Sequence, residues 1–382
     1  VSRILLITNV VASYRIPLYE RLARLPEWNL LVAHGSNTGE AGVSVAEPSN
    51  QHAFKTALLV NFEACIRTLT VRWQRGLLGV VRSFRPDVVI ASGEIGNISS
   101  WIACAWARVA GRPVVLWTSA WEPQQAGSSA YRFKRLAMRL YFRLADRILV
   151  YSSKARRDLL DLGMSEDRLT VCHNGLDVAH RLQREPDIRA AAAALRQSEG
   201  IEDRMLFLSV GRAVEAKRLD LLVTAFTESP ACQQAMLWVV GEGPALPALE
   251  SRVAAGGASN IKFWGSVYAG VDAYFAAADC FVLPGLGGLA LNEAMLFGLP
   301  CICSVADGTE DDLVVDGVTG VRFAPGEASS LAAAFEHVIR LKERGRLRQI
   351  GDAARARLLD NHTVDQMVRT FQATVPLTTS SG

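Results

Sequence analysis

Arg212 and Lys217 stand five residues apart, just after a short apolar run that ends in Val210-Gly211, and a helical pattern follows them. Two cations at a strand end, beside a glycine, can clamp a diphosphate and neutralise charge as it leaves. Two solvated cations at a helix start is the plainer alternative. A second segment, residues 283–300, reads LPGLGGLALNEAMLFGLP. Its Pro284-Gly285 and Gly287-Gly288 make an open loop in which backbone can come close to a ligand, and amides at a helix start attract phosphate oxygens. Glu293, in the early turns of the helix that follows, can accept hydrogen bonds from both hydroxyls of a ribose. Gly298 closes that helix and Pro300 prevents its continuation. A glycine-rich turn with a dipole-favoured Glu is the competing reading here.

Such residues need elements to hold them. Short β-rich runs occur at 3–8, 30–33, 88–91, 114–117 and 147–151, and a second series at 205–210, 236–240, 260–263, 280–283 and 300–304. Each run is nearly continuously apolar, as expected of strands covered by helices on both faces. The intervening stretches are long enough for crossover helices, so two parallel, doubly wound α/β domains are expected. The break between the series falls at the turn cluster Asn174-Gly175-Leu176-Asp177, which gives domains of 1–177 and 178–355. Residues 188–198 read as a helix opening the second domain, and the pattern beyond Pro325-Gly326 is helical to about Thr374.

The bulk numbers narrow the function. A chain of 382 residues exceeds what one hydrophobic core usually organises. Its net charge of +3 is too mild for a nucleic-acid partner. Seven cysteines show no paired metal spacing, and several lie in apolar runs, which suits reduced, buried thiols in the cytoplasm. The start, VSRILLITNV, reads as a strand rather than a signal peptide, and no apolar run approaches the roughly 20 residues of a membrane span. A dinucleotide-dependent oxidoreductase is disfavoured, because neither LLITNVVAS nor the opening of the second domain supplies GxGxxG. The histidines, His34, His52, His173, His180, His337 and His362, are scattered and read as structural or solvated.

Taken in order, four pieces resemble the family-four (GT4) retaining glycosyltransferases of the GT-B fold. They are Gly211-Arg212 with Lys217, Gly241-Glu242-Gly243-Pro244, Phe263-Trp264-Gly265, and Glu293-Ala294-Met295 with Gly298-Leu299-Pro300. The resemblance implies two Rossmann-like domains facing a central cleft, with the acceptor on the first and the nucleotide-sugar donor on the second. Residues 356–382 would form a final helix crossing back to the first domain, and a frayed tail. It also implies that Arg212 and Lys217 contact the donor pyrophosphate, amides around Gly287, Gly288 and Leu289 the phosphate or sugar, and Glu293 the ribose. Gly265 and Ser266 would lie near the base, and Gly211, Gly241 and Gly243 would line the donor site. No metal and no cofactor is implied beyond the nucleotide diphosphate-sugar itself. Two departures stand out. Gly285 occupies the place of a second Glu that usually contacts the donor sugar, as in some polysaccharide-assembly members. The family's histidine near the reaction centre is absent from the segment at 116–122, where Ser119 or Glu122 takes its space; Tyr14 and Arg15 join them as acceptor-side candidates.

Residues 131–147 interleave Arg132, Lys134, Arg135, Arg139, Arg143 and Arg147 with Phe133, Tyr141 and Phe142. A second set, Arg67, Arg72, Trp73, Arg75, Arg82 and Arg85, is expected in another helical region. Basic helices with aromatics suit an anionic membrane surface, although two packed helices with solvated arginines would read the same way. The expected function is transfer of a sugar, from UDP in preference to GDP, to a saccharide or lipid-linked acceptor in the cytoplasm, with a peripheral membrane contact. A nucleotide-sugar epimerase and a non-catalytic donor-binding subunit remain as alternatives.

Overall fold

The computed structural model describes residues 1–35, 52–66, 69–120 and 129–377. The chain divides into one unit of Val1–His173 with Val364–Gly382, and a second of Asn174–Thr363; the expected boundaries were 177 and 355.

The first unit runs β1 (Ser2–Thr8), α1 (Ile16–Ala23), β2 (Trp28–Gly35), β3 (Lys55–Ile66), β4 (Leu69–Arg75), α2 (Leu77–Phe84), β5 (Val88–Ser92) and α3 (Ile98–Val109). It continues through β6 (Val114–Thr118), α4 (Ser129–Arg143), β7 (Arg147–Val150), α5 (Ser153–Asp161) and β8 (Leu169–Val171). Its sheet has the order β4-β3-β2-β1-β5-β6-β7-β8. Every pairing is parallel except β3 with β4. Alternate residues explain why the central strands are apolar throughout. Leu5, Ile7, Val89 and Leu116 face a core built with α2 to α5, whereas Ile4, Leu6, Ile90 and Val115 face Leu18, Tyr19 and Leu22 of α1.

The second unit opens with α6 (Ala179–Gln183) and α7 (Glu185–Ser198), then β9 (Leu206–Val210), α8 (Leu219–Glu228), β10 (Met236–Val240), α9 (Leu246–Ala255) and β11 (Ile261–Phe263). There follow α10 (Val271–Ala277), β12 (Cys280–Leu283), α11 (Ala290–Leu296), β13 (Cys301–Cys303), α12 (Thr309–Leu313) and β14 (Gly320–Arg322). The helices α13 (Ala328–Glu343) and α14 (Leu347–Asn361) complete it. Its order is β11-β10-β9-β12-β13-β14, all parallel. Phe207, Leu237 and Val282 pack with α8, α9 and α13 on one face; Leu208, Trp238 and Phe281 pack with α7, α10, α11 and α14 on the other. The last helix, α15 (Val364–Thr374), rejoins the first unit. Its Val364, Met367 and Phe371 share the core with Tyr19, and Phe371 meets Trp117 edge-on at 5.1 Å.

Three features differ from the expectation. Residues 69–75 are not helical: they form β4, antiparallel to β3, so Arg72, Trp73 and Arg75 lie on a strand, Arg82 lies on α2, Arg85 caps it, and Arg67 lies outside the described residues. The hairpin has little apolar periodicity because most of β3 is solvent-facing, with Leu58, Val60 and Phe62 exposed. β8 and β14 were missed as well, being three-residue edge strands with no apolar run. Six cysteines are buried and free, but Cys65 is exposed on β3. His34 is buried at the end of β2, where burial lowers its pKa and Gly35 O opposes that.

Candidate donor-binding site

In the second sheet the strand order reverses between β9 and β12, and ligands of open α/β sheets bind beyond the carboxyl ends flanking such a point. The loop after β9 carries Gly211, Arg212 and a 3-10 turn at Glu215–Lys217; the loop after β12 carries Gly285, Gly287 and Gly288 into α11. Local sequence thus delivers both loops to one edge, and the parallel register makes them neighbours.

The two loops are stapled together. Leu286 N–H donates to the Ala216 carbonyl at 2.8 Å. The Lys217 ammonium donates to the carbonyls of Leu286 and Gly287 at 2.7 and 2.5 Å. Burial holds the Lys217 pKa below its ordinary value; Asp307 opposes that shift and Arg212 adds to it. Arg212 itself is exposed, and its side chain makes no hydrogen bond or ion pair among the described residues. Two neighbouring cations therefore lack a carboxylate in ion-pair contact. The backbone amides of Gly287, Gly288, Leu289 and Ala290 also have no hydrogen-bond partner among the described residues.

The packing explains Gly285. A Cβ there would stand 2.3 Å from Ala216 O and 2.7 Å from the Lys217 carbonyl carbon, both backbone atoms. No side chain fits without moving the turn that carries Lys217. Gly241 and Gly243 are constrained in the same way, since a Cβ would meet Gly211 O at 1.9 Å and Ala213 O at 2.5 Å. Gly211 N–H donates to Val240 O at 3.0 Å, and Gly241 N–H to Gly265 O at 2.7 Å. These glycines hold the loops after β9, β10 and β11 shoulder to shoulder. Gly265 and Ser266 are half-buried at the far end of that row.

Glu293 enters the site from α11 with a partner that sequence reasoning missed. Arg181 of α6 donates through Nη2 to Glu293 Oε1 at 2.8 Å and through Nε to Asp272 Oδ1 at 2.9 Å. Burial raises the Glu293 pKa, Arg181 opposes, and Asp272 adds to the rise. Oε2 has no hydrogen-bond partner among the described residues. Arg181 lies more than a hundred residues from Glu293 on a five-residue helix, and nothing in its local pattern marks it.

The acceptor-side candidates lie in the first unit. Tyr14 is exposed, but Arg15 is buried, its guanidinium 4.2 Å from the Trp117 ring centroid and donating to the Tyr151 hydroxyl at 3.1 Å. Ser119 is exposed immediately after β6. Glu122 lies outside the described residues. Among the described residues no cluster of three or more His, Cys, Asp or Glu could hold a metal ion.

Solved structures share this architecture across almost the whole chain. Anabaena Alr3699/HepE, solved in complex with UDP, is 18% identical with a TM-score of 0.75, covering 98% of this chain and 99% of that one. Sucrose-phosphate synthase from Thermosynechococcus elongatus is 19% identical with a TM-score of 0.72, covering 98% of each. The fold is GT-B. Residues 192–357 match the family described as glycosyl transferases group 1, and residues 43–175 match the glycosyl transferase 4-like domain. The chain belongs to the GT4-type glycosyltransferases of the GT-B fold. Curated relatives include the sulfoquinovosyl transferase SQD2 of Arabidopsis thaliana, 27% identical over 73% of this chain and 54% of that protein. The D-inositol 3-phosphate glycosyltransferase of Mycobacterium tuberculosis is 27% identical over 60% of this chain and 49% of that protein. The chain spans about half the length of the curated relatives it matches.

Proposed function

We propose that this chain transfers a sugar from a nucleoside diphosphate donor, UDP in preference to GDP, with retention at the anomeric carbon. The observation that carries the reading is the pair Arg212 and Lys217, two adjoining cations that, among the described residues, have no carboxylate in ion-pair contact and stand beside four unpartnered amides. A diphosphate is the dianion that such a set complements. Arg212 meets the charge that develops on the leaving diphosphate, while Lys217 keeps the glycine loop docked. Glu293 Oε2 takes a ribose hydroxyl. The bond from the anomeric carbon to the diphosphate oxygen breaks, the bond to the acceptor oxygen forms on the same face, and the acceptor proton passes to the departing phosphate. That course needs no side-chain base and no metal. A neighbour of the same fold, solved in complex with UDP, supports the choice of base.

The acceptor in this reading is a saccharide or a lipid-linked one, reached at the inner face of a membrane. No helix among the described residues is long and apolar enough to cross a bilayer. Instead α4 exposes Phe133, Leu136 and Leu140 beside exposed Arg132, Arg139 and Arg143, whereas Tyr141 and Phe142 are buried in the core. Arg72 drops out of the basic set, being buried and ion-paired with Glu63 and Glu94.

UDP-, GDP- and dTDP-sugars, each incubated with and without a lipid extract carrying lipid-linked saccharides, test the reaction. Free nucleoside diphosphate should accumulate from one donor and rise with the extract. An isomerised nucleotide-sugar without nucleotide release would establish an epimerase instead, and binding without turnover a donor-binding subunit. Sedimentation with anionic vesicles at low salt tests the surface. Binding should fall when Arg132, Arg139 and Arg143 are replaced by Gln together, and vesicle binding unchanged by that triple variant would remove α4 from the account.

A further inference from the structure

The first sheet has a reversal point of its own, between β1 and β5, and a carboxylate that donor chemistry does not use stands there. Glu94 follows β5 by two residues. Asn9, just past β1, donates through Nδ2 to Glu94 Oε2 at 2.7 Å, and Arg72 donates through Nη1 to the same oxygen at 3.1 Å. Both partners are buried, at 9% and 4% exposure, while the Glu94 side chain is 57% exposed.

A second layer holds those partners in turn. Asn97 Nδ2 donates to Asn9 Oδ1 and to Gln74 Oε1, each at 3.2 Å, and Gln74 Nε2 donates to the Thr8 carbonyl at 3.0 Å and to Asn61 Oδ1 at 3.2 Å. Arg72 Nε is taken by Glu63 Oε1 at 2.5 Å. Asn97 and Gln74 are essentially inaccessible to solvent. A surface ion pair needs no such support, and burying this many polar groups costs desolvation that a plain core avoids. The network reaches two carboxylates, Glu63 and Glu94; at Glu94, Oε2 is anchored and Oε1 is without a partner among the described residues.

We infer that Glu94 binds the acceptor, its free Oε1 accepting hydrogen bonds from sugar hydroxyls. This rests on the glycosyltransferase reading, which supplies an acceptor for the first unit to hold. A carboxylate is an acceptor only, so it complements hydroxyl groups and repels phosphate or uronate. The sugar residue read by Glu94 therefore carries no anionic group. The supporting shell fixes the carboxylate's direction before the sugar arrives, which lowers the ordering cost of binding.

Saturation-transfer NMR on the full chain with the methyl glycosides of glucose, galactose and mannose, and with methyl glucuronide as a charged control, tests this. At least one neutral glycoside should bind the wild type. Its affinity should fall roughly tenfold or more in Glu94→Ala, as for a lost charge-assisted hydrogen bond. Glu94→Gln preserves an oxygen for Asn9 and Arg72, so it should melt like the wild type and still bind sugar more weakly. UDP affinity, titrated on the same samples, should be unchanged in both variants. The inference is overturned if no neutral glycoside binds the wild type, if both variants bind it equally well, or if methyl glucuronide alone binds. Loss of UDP binding in the wild type would strike the donor reading instead, and leaves the sugar result to judge Glu94 by itself.

Discussion

Arg212→Ala should lower turnover by roughly 10²–10³-fold, the effect of removing one preorganised charge at a developing anion. Its melting temperature should stay with the wild type, because the Arg212 side chain is exposed and makes no hydrogen bond or ion pair among the described residues. Lys217→Ala should lose activity to a similar degree for two reasons at once. It removes a cation, and it frees the carbonyls of Leu286 and Gly287 that the ammonium holds. Nucleotide affinity should therefore weaken more in Lys217→Ala than in Arg212→Ala. Steady-state kinetics with UDP titration and thermal melting separate the two roles. Wild-type turnover in Arg212→Ala would remove it from the reaction, and equal UDP affinity in the two variants would deny Lys217 its loop-holding part.

The second large effect concerns Gly285. Family resemblance makes Gly285→Glu look like a restoration, since a carboxylate is usual at that place. The packing predicts the reverse. A Cβ at 285 strikes Ala216 O and the Lys217 backbone, neither of which is the movable end of a side chain. We expect Gly285→Glu to destabilise the chain by about 1–3 kcal/mol, the range for forcing extra atoms into a packed site, and to abolish transfer by displacing Lys217. Gly285→Ala should show most of the same loss, because the clash begins at Cβ. Denaturant melts and donor turnover check both. An active, stable Gly285→Glu would show that the two loops separate easily.

The same contrast runs through the molecule. Strands such as β1, β5, β9 and β12 were legible because a strand covered on both faces is apolar at nearly every position. β8 and β14 were not, because three residues at a sheet edge carry no such run, and β4 was misread because its buried positions, Arg72 and Gln74, are polar and leave no apolar alternation. For the candidate site, residue order was enough to tell which side chains reach the carboxyl edge of the second sheet. Arg212, Lys217 and Glu293 follow β9 and β12 directly, and parallel βα units place such loops at one edge.

What those residues touch was decided only in three dimensions. The Lys217 staple, the Arg181 bridge from Glu293 to Asp272, and the shell behind Glu94 all join positions far apart in the chain. Their geometry comes from strand order and packing, which no local pattern encodes. That Arg212 and Lys217 adjoin in the loop after β9 could be read from residue types and spacing. The reason that Gly285 is a glycine lies in two backbone atoms some seventy residues upstream, and only the folded chain brings them within contact distance.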